Sequence, residues 1–159
     1  MLMDFVYDDG GRAEAGYKGT TGDCVCRAIA IAAEMPYKEV YNLINEYAKQ
    51  ERTGTRKRGK SSARTGVYKQ TIRKVMDHLG WVWVPTMQVG QGCKVHLRSD
   101  ELPTGRLVVN VSKHCTAVID GVIHDIYNPS DRPQVVDGYG NDLTRERCVY
   151  GYYYKPQEG

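Results

Sequence analysis

The chain has one phenylalanine against twelve tyrosines. Its aromatic surface is therefore mostly of the kind that joins an apolar ring to a polar tip, which suits half-wet clefts and interfaces as well as cores. Core packing is the first use expected of it. The chain also lacks any apolar run approaching the roughly 20 residues that a membrane-spanning helix needs. Its opening, MLMDFVYDDGG, has no basic stretch followed by an apolar one, the pattern of a secretory leader. No strong excess of either charge is present: 22 Lys and Arg against 19 Asp and Glu leave +3, and the isoelectric point is near 8.5. That balance is too mild for a protein built mainly to hold nucleic acid, and no nucleic-acid motif accompanies it. Five cysteines, an odd number, give no disulfide framework. These absences together lead to the expectation of a cytoplasmic protein whose thiols stay reduced.

Hydrophobic residues at 41% and charged residues at 26% are globular rather than disordered values. A length of 159 residues suits one domain, 1–159, with a core that needs no staples. There is no internal repeat. Helices are expected at about 23–34, 36–51 and 67–79, the first apolar nearly all round and so central, the second and third amphipathic. Strands are expected at about 81–84, 106–112, 114–119, 122–127 and 148–154, with Phe5-Val6-Tyr7 as an edge strand. Helices first and mostly antiparallel strands after them argue an α+β fold. In the tail, strand alternation sets Tyr153 opposite to Tyr150, Tyr152 and Tyr154.

Between the second and third helices, residues 52–66 carry six Lys or Arg and no acid. Their only apolar side chain is that of Ala63. The segment reads as a solvated flexible loop. Its Arg56, Lys57, Arg58, Lys60 and Arg64 are candidates for binding an acidic partner protein or substrate edge, with nucleic acid the less favoured alternative.

The residues that carry chemistry begin at Gly22-Asp23-Cys24-Val25-Cys26, where a loop turns into the first helix. A thiol at a helix start meets unpaired N–H groups and a partial positive charge, which favour thiolate and can bind a developing oxyanion. Cys26, two residues on, is turned roughly to the other side of the helix. Asp23 is expected to cap the helix through its side chain.

A base is available in Val111-Ser112-Lys113-His114-Cys115-Thr116-Ala117-Val118-Ile119-Asp120-Gly121-Val122-Ile123-His124-Asp125. Asp120-Gly121 between two β-branched runs marks a two-residue hairpin turn. Counting outward pairs Val118 with Ile123, Thr116 with Asp125 and His114 with Tyr127, so these six side chains share one side of the ribbon. Asp125 is then a diagonal neighbour of His114, about 7–8 Å away at Cα, close enough to fix the ring in one tautomer. Asn128 is the other candidate for that duty, but the register sets it on the wrong side.

A Cys at a helix start, a His on a strand and an Asp on the next strand follow the logic of a thiol hydrolase. The pattern resembles the papain-like cysteine peptidase superfamily. More closely, GDCVCRAIAIAAEMPYKEVY, the segment from RKRGKSSARTGVYKQ to TAVIDGVIHD, and RCVYGYYY resemble a family of small bacteriophage and mobile-element proteins, over about two thirds of the chain. The resemblance implies a papain-like fold, a Cys24-His114-Asp125 triad and a cysteine peptidase or related acyl hydrolase at work in the host cytoplasm on a host or phage protein. One position departs from the pattern. Papain-like enzymes place an oxyanion-binding Gln six residues before the nucleophile, where this chain has Lys18. Beside the Cys24 N–H, the candidates for the second donor are Lys18, Thr20 and Thr21. The same departure motivates the alternative of a catalytically inactive papain-like module that sequesters a host protein or nucleic acid. The soft ligands Cys24, Cys26, Cys93, His96, His114 and Cys115 do not follow the paired spacing of structural zinc sites. Neither a metal nor a cofactor is expected.

Overall fold

The computed structural model describes residues 2–19, 21–52 and 59–157. It is a mixed α+β structure of three helices and a six-stranded sheet. The strands are β1 (Phe5–Tyr7), β2 (Val82–Pro85), β3 (Arg106–Val111), β4 (His114–Ile119), β5 (Val122–Asp125) and β6 (Val149–Tyr154); the helices are α1 (Cys24–Ala32), α2 (Tyr37–Ala48) and α3 (Lys69–His78). Strand order across the sheet is β1-β5-β4-β3-β6-β2. Every neighbouring pair is antiparallel except β1 with β5, so Phe5-Val6-Tyr7 does form an edge strand, and it pairs parallel.

Pattern decides what each element buries. In α1 every residue from Val25 to Ala32 is buried, as an almost charge-free helix requires. Its alanines let it lie close across β4; α2 packs against α1, and α3 against both α2 and β2. Val40, Ile44, Ile72, Val75 and Met76 close this helical core against Val108, Ala117 and Tyr153 of the sheet. The other sheet face has its own core, in which Leu107, Val109, Val118, Ile123 and Val149 are covered by Met3, Leu97 and Leu102 from loop segments. Strand β3 is thus apolar on both faces, because both are covered. Arg106, where β3 starts, donates to the carbonyls of Ile31 and Ala32 at 2.7 and 2.8 Å. These bonds add donors to the acceptors of the last turn of α1, the Ile31 carbonyl also accepting from the Glu34 N–H at 3.3 Å, and tie the helix to the sheet.

The β4–β5 hairpin has the expected register, with Ala117 opposite His124, Val118 opposite Ile123 and Ile119 opposite Val122. Its turn residues Asp120 and Gly121 have φ of 49° and 78°, the positive pair that a tight right-twisted hairpin demands.

Four expectations need correction. Residues 61–66 are not a free loop: Ser61 and Ala63 are buried, the Ala63 N–H donates to Asn45 Oδ1 at 3.0 Å, and the Ser61 N–H to Glu51 Oε1 at 2.6 Å. Two small side chains suffice to wedge the segment against α2 when the backbone finds polar partners there. Tyr150 does not stay with Tyr152 and Tyr154. The β3–β6 register slips between Asn110 and Val111, so Tyr150 is passed over in the pairing and joins Tyr153 on the helical side. Cys93 and Cys148 form a disulfide across 55 residues, despite the odd cysteine count. The two loops that carry them meet where Met87 bridges to Cys93 and His96 to Cys148. Asp23 makes no side-chain cap, for reasons that belong to the site.

Candidate active site

α1 starts level with the start of β4, and there the three residues of the sequence motif meet. Cys24, His114 and Cys115 line one cavity, where the His114 ring and the Cys115 backbone N–H both act to favour the Cys24 thiolate. Nε2 of His114 is 2.7 Å from Asp125 Oδ2, leaving Nδ1 as the ring nitrogen for the thiol. Asp125 is held from several sides: the Thr116 hydroxyl donates to Oδ2 at 2.7 Å, the Ile126 N–H to Oδ1 at 2.7 Å, and the Arg27 guanidinium is 3.5 Å from Oδ1. The Tyr127 ring packs against His114 at a tilt of 42° with centroids 5.0 Å apart, on the side that the hairpin count gives both.

Arg27 has no role in the sequence reading beyond being the one charge in α1, yet it organises this corner. It is 4% exposed and reaches Asp125 on one side and Asp23, one helical turn earlier, on the other. The Tyr37 hydroxyl donates to the second Asp23 oxygen at 2.6 Å, and Arg12 approaches the same oxygen at 3.5 Å. Asp23 therefore turns inward to neutralise a buried guanidinium rather than outward to cap a helix. The i, i+4 spacing of Asp23 and Arg27 was the available signal.

Electrostatics separates the thiols. Burial works against ionising Cys24, but the His114 hydrogen bond and charge, the Cys115 N–H and Arg27 outweigh it, and Cys24 titrates below the ordinary cysteine range. Burial likewise pulls His114 down, while its hydrogen bonds to Asp125 and Cys24 and their negative charges carry it above its usual value. Asp125, buried yet bonded to His114, Thr116 and Ile126, lies below the carboxylate range. The other two free thiols go the opposite way. Burial pushes Cys26 up to about 12, and Cys115 well above its ordinary value.

Cys24 and His114 open onto a groove of about 1010 Å³. Its lining comes from residues between Thr65 and Arg73, from residues between Trp83 and Gly92, and from Asn110, Val111, Lys113, Tyr150 and Tyr153. Trp83 reaches its place because position 151 is glycine, where a Cβ would lie 2.3 Å from the indole ring.

The remaining sequence candidates are dispersed. Lys18 is exposed, with its carbonyl accepting from Arg64 Nη2 at 3.2 Å. Thr21 Oγ1 is buried and has no hydrogen-bond partner among the described residues. Thr20 lies outside the described residues, as do Arg56, Lys57 and Arg58 of the basic segment. Lys60 and Arg64 are exposed. Asn128 is occupied elsewhere: it donates to the Met3 carbonyl at 3.0 Å and accepts from Ser130. Among the described residues no group of three or more His, Cys, Asp or Glu could hold a metal ion, and no helix is long and apolar enough to cross a membrane.

No family model, curated protein or solved structure matches the chain.

Proposed function

We propose that the chain is a papain-like thiol hydrolase acting on a peptide, isopeptide or related acyl bond. The observation that carries this reading is that Cys24 and His114 line the same groove, one large enough for an extended substrate, with His114 bonded in turn to Asp125 and lowering the Cys24 pKa. The Cys24 thiolate attacks the carbonyl carbon, and the charge that moves onto its oxygen is met by the Cys24 N–H at the helix start. The protonated His114 gives its proton to the departing amine as the tetrahedral adduct collapses to a thioester. Water then loses a proton to His114 while attacking the thioester, and collapse releases the acid and restores the thiolate–imidazolium pair. Asp125 keeps the ring in the tautomer that presents Nδ1 to sulfur, and Thr116, Ile126 and Arg27 keep Asp125 in place. Of the described candidates for the second oxyanion donor, Thr21 is the one whose hydroxyl has no hydrogen-bond partner among the described residues. The resemblance to phage and mobile-element proteins points to a host or phage protein as substrate.

The test is competitive alkylation with iodoacetamide at neutral pH. Cys24 is expected to react at least 100-fold faster than Cys26 or Cys115, following its larger thiolate fraction. Equal rates would remove the activated thiolate and the reading with it. A second reading, an inactive papain-like binding module, is favoured by Lys18 standing where the superfamily has its Gln. If a Cys24→Ala variant kept the full biological effect, that module would be the function.

A further inference from the structure

The groove beside Cys24 is apolar in its walls and of one sign at its edge. Val67, Ile72, Trp83 and Met87 supply apolar lining. Three cations line it and no carboxylate of a described residue does. Lys69 and Arg73 lie one turn apart on α3, so they project from the same helix face, and Lys113 occupies the turn directly before His114. Arg73 is partly satisfied by Asp77 at 3.7 Å. The Lys69 ammonium is 5.7 Å above the Tyr150 ring, an arrangement that positions a cation without neutralising it. Asn110 also lines the groove; it pairs across the strands with Cys115, and its Oδ1 is buried with no hydrogen-bond partner among the described residues. A buried acceptor of this kind costs free energy until a donor arrives.

From these features we infer that the groove binds an extended acidic peptide segment, one carrying Asp or Glu side chains next to a bulky apolar residue. The inference rests on the hydrolase reading only for the cleavage that follows binding. The apolar side chain fills the space between Ile72 and Trp83, the carboxylates meet Lys69 and Lys113, and a backbone N–H of the segment satisfies Asn110. A nucleic-acid strand would meet the same cations, but its phosphodiester backbone has no donor for Asn110, and the Val67, Ile72 and Met87 side chains offer phosphates nothing.

Two measurements test it. Peptidyl vinyl sulfones with Glu-Leu, Gln-Leu and Lys-Leu ahead of the electrophile are compared for the rate at which they modify Cys24 in the full chain, each rate divided by that of iodoacetamide. Glu-Leu is expected to exceed Lys-Leu about tenfold, an advantage that shrinks in salt and reverses in the Lys69→Glu/Lys113→Glu variant. Equal normalised rates with a fast iodoacetamide reaction would overturn the acidic preference and leave the thiol chemistry intact. The second measurement does not need a reactive thiol: the Cys24→Ala protein is titrated with fluorescein-labelled Glu-Leu and Lys-Leu peptides and with a labelled single-stranded oligonucleotide. Tighter binding of the Glu-Leu peptide supports the inference. Preference for the oligonucleotide, or no preference between the peptides, overturns it. Asn110→Leu sharpens the result, because loss of peptide affinity in a protein of unchanged Tm is expected only if Asn110 contacts the ligand.

Discussion

Cys24 and Cys26 stand two residues apart on one helix, within reach of the same N-terminal partial charge, and their thiols have opposite character. The side of α1 that faces β4 brings Cys24 a histidine ring, a backbone N–H and a guanidinium. The side that faces α2 gives Cys26 a carbonyl acceptor, Tyr37 O at 3.7 Å, and the negative charge of Asp23 in a dry interior. A turn of roughly 200° about the helix axis therefore decides between thiolate and inert thiol. The helix dipole, common to both, does not separate them. What separates them is which neighbour arrives from the rest of the chain, and here it is β4.

The largest way to break the contrast is to remove the sulfur. Cys24→Ala is expected to lower turnover of a peptide ester or amide substrate by about 10³-fold or more, with thermal unfolding changed by only a few degrees. Retained turnover would move the chemistry elsewhere. Next comes the ring: His114→Ala leaves Cys24 with burial but without its main stabilising partner, so its titration should move up toward that of Cys26. Alkylation at neutral pH should then fall about 100-fold, read from the pH dependence of the iodoacetamide rate. In the parent protein the sign is fixed by the two shifts. Alkylation rises with pH through the lowered Cys24 value, and turnover, which needs imidazolium to protonate the leaving group, falls as pH passes the raised His114 value.

How much of this was legible in the sequence follows the range of each interaction. The hairpin was readable because its information is local: Asp120-Gly121 fixes the turn, the period of two fixes the faces, and His114, Thr116, Asp125 and Tyr127 follow by counting. The central burial of α1 was readable for the same reason, in its lack of charge. The meeting of Cys24 with His114 came from the family resemblance rather than from local pattern, and other contacts between distant segments were not readable. The inward turn of Asp23 depends on Tyr37 and Arg12 arriving from elsewhere, so a rule that treats a helix end in isolation assigns it a cap. The docking of Ser61 and Ala63 depends on Asn45 and Glu51, and the Cys93–Cys148 bridge on two loops meeting beside β6. The displaced Tyr150 depends on a register slip that alternation alone cannot foresee.

A smaller effect probes the support behind the ring. Asp125→Asn keeps the shape but loses the charge that raises His114 and faces Arg27. Turnover is expected to drop about 10- to 100-fold, with the high-pH limb of the profile shifted to lower pH because the imidazolium is no longer stabilised. An unshifted limb would mean that Asp125 acts only as a packing partner for Thr116 and Arg27.

The smallest expected effect lies on the inert side of the helix. Cys26→Ala removes one buried sulfur and a weak hydrogen bond, at a cost of about 1 kcal/mol in chemical denaturation. The iodoacetamide rate of Cys24 should stay within about twofold of the parent, because nothing that lowers its pKa involves Cys26. Asp23 tests the same boundary from the other side. It is among the groups that raise the pKa of Cys26, and it pairs with Arg27, which helps to lower that of Cys24. If Cys26→Ala slowed Cys24 markedly, the two faces of α1 would be coupled through the Asp23–Arg27 pair. Arg27 would then be the element that transmits packing on the α2 side into the charge of the Cys24–His114–Asp125 corner.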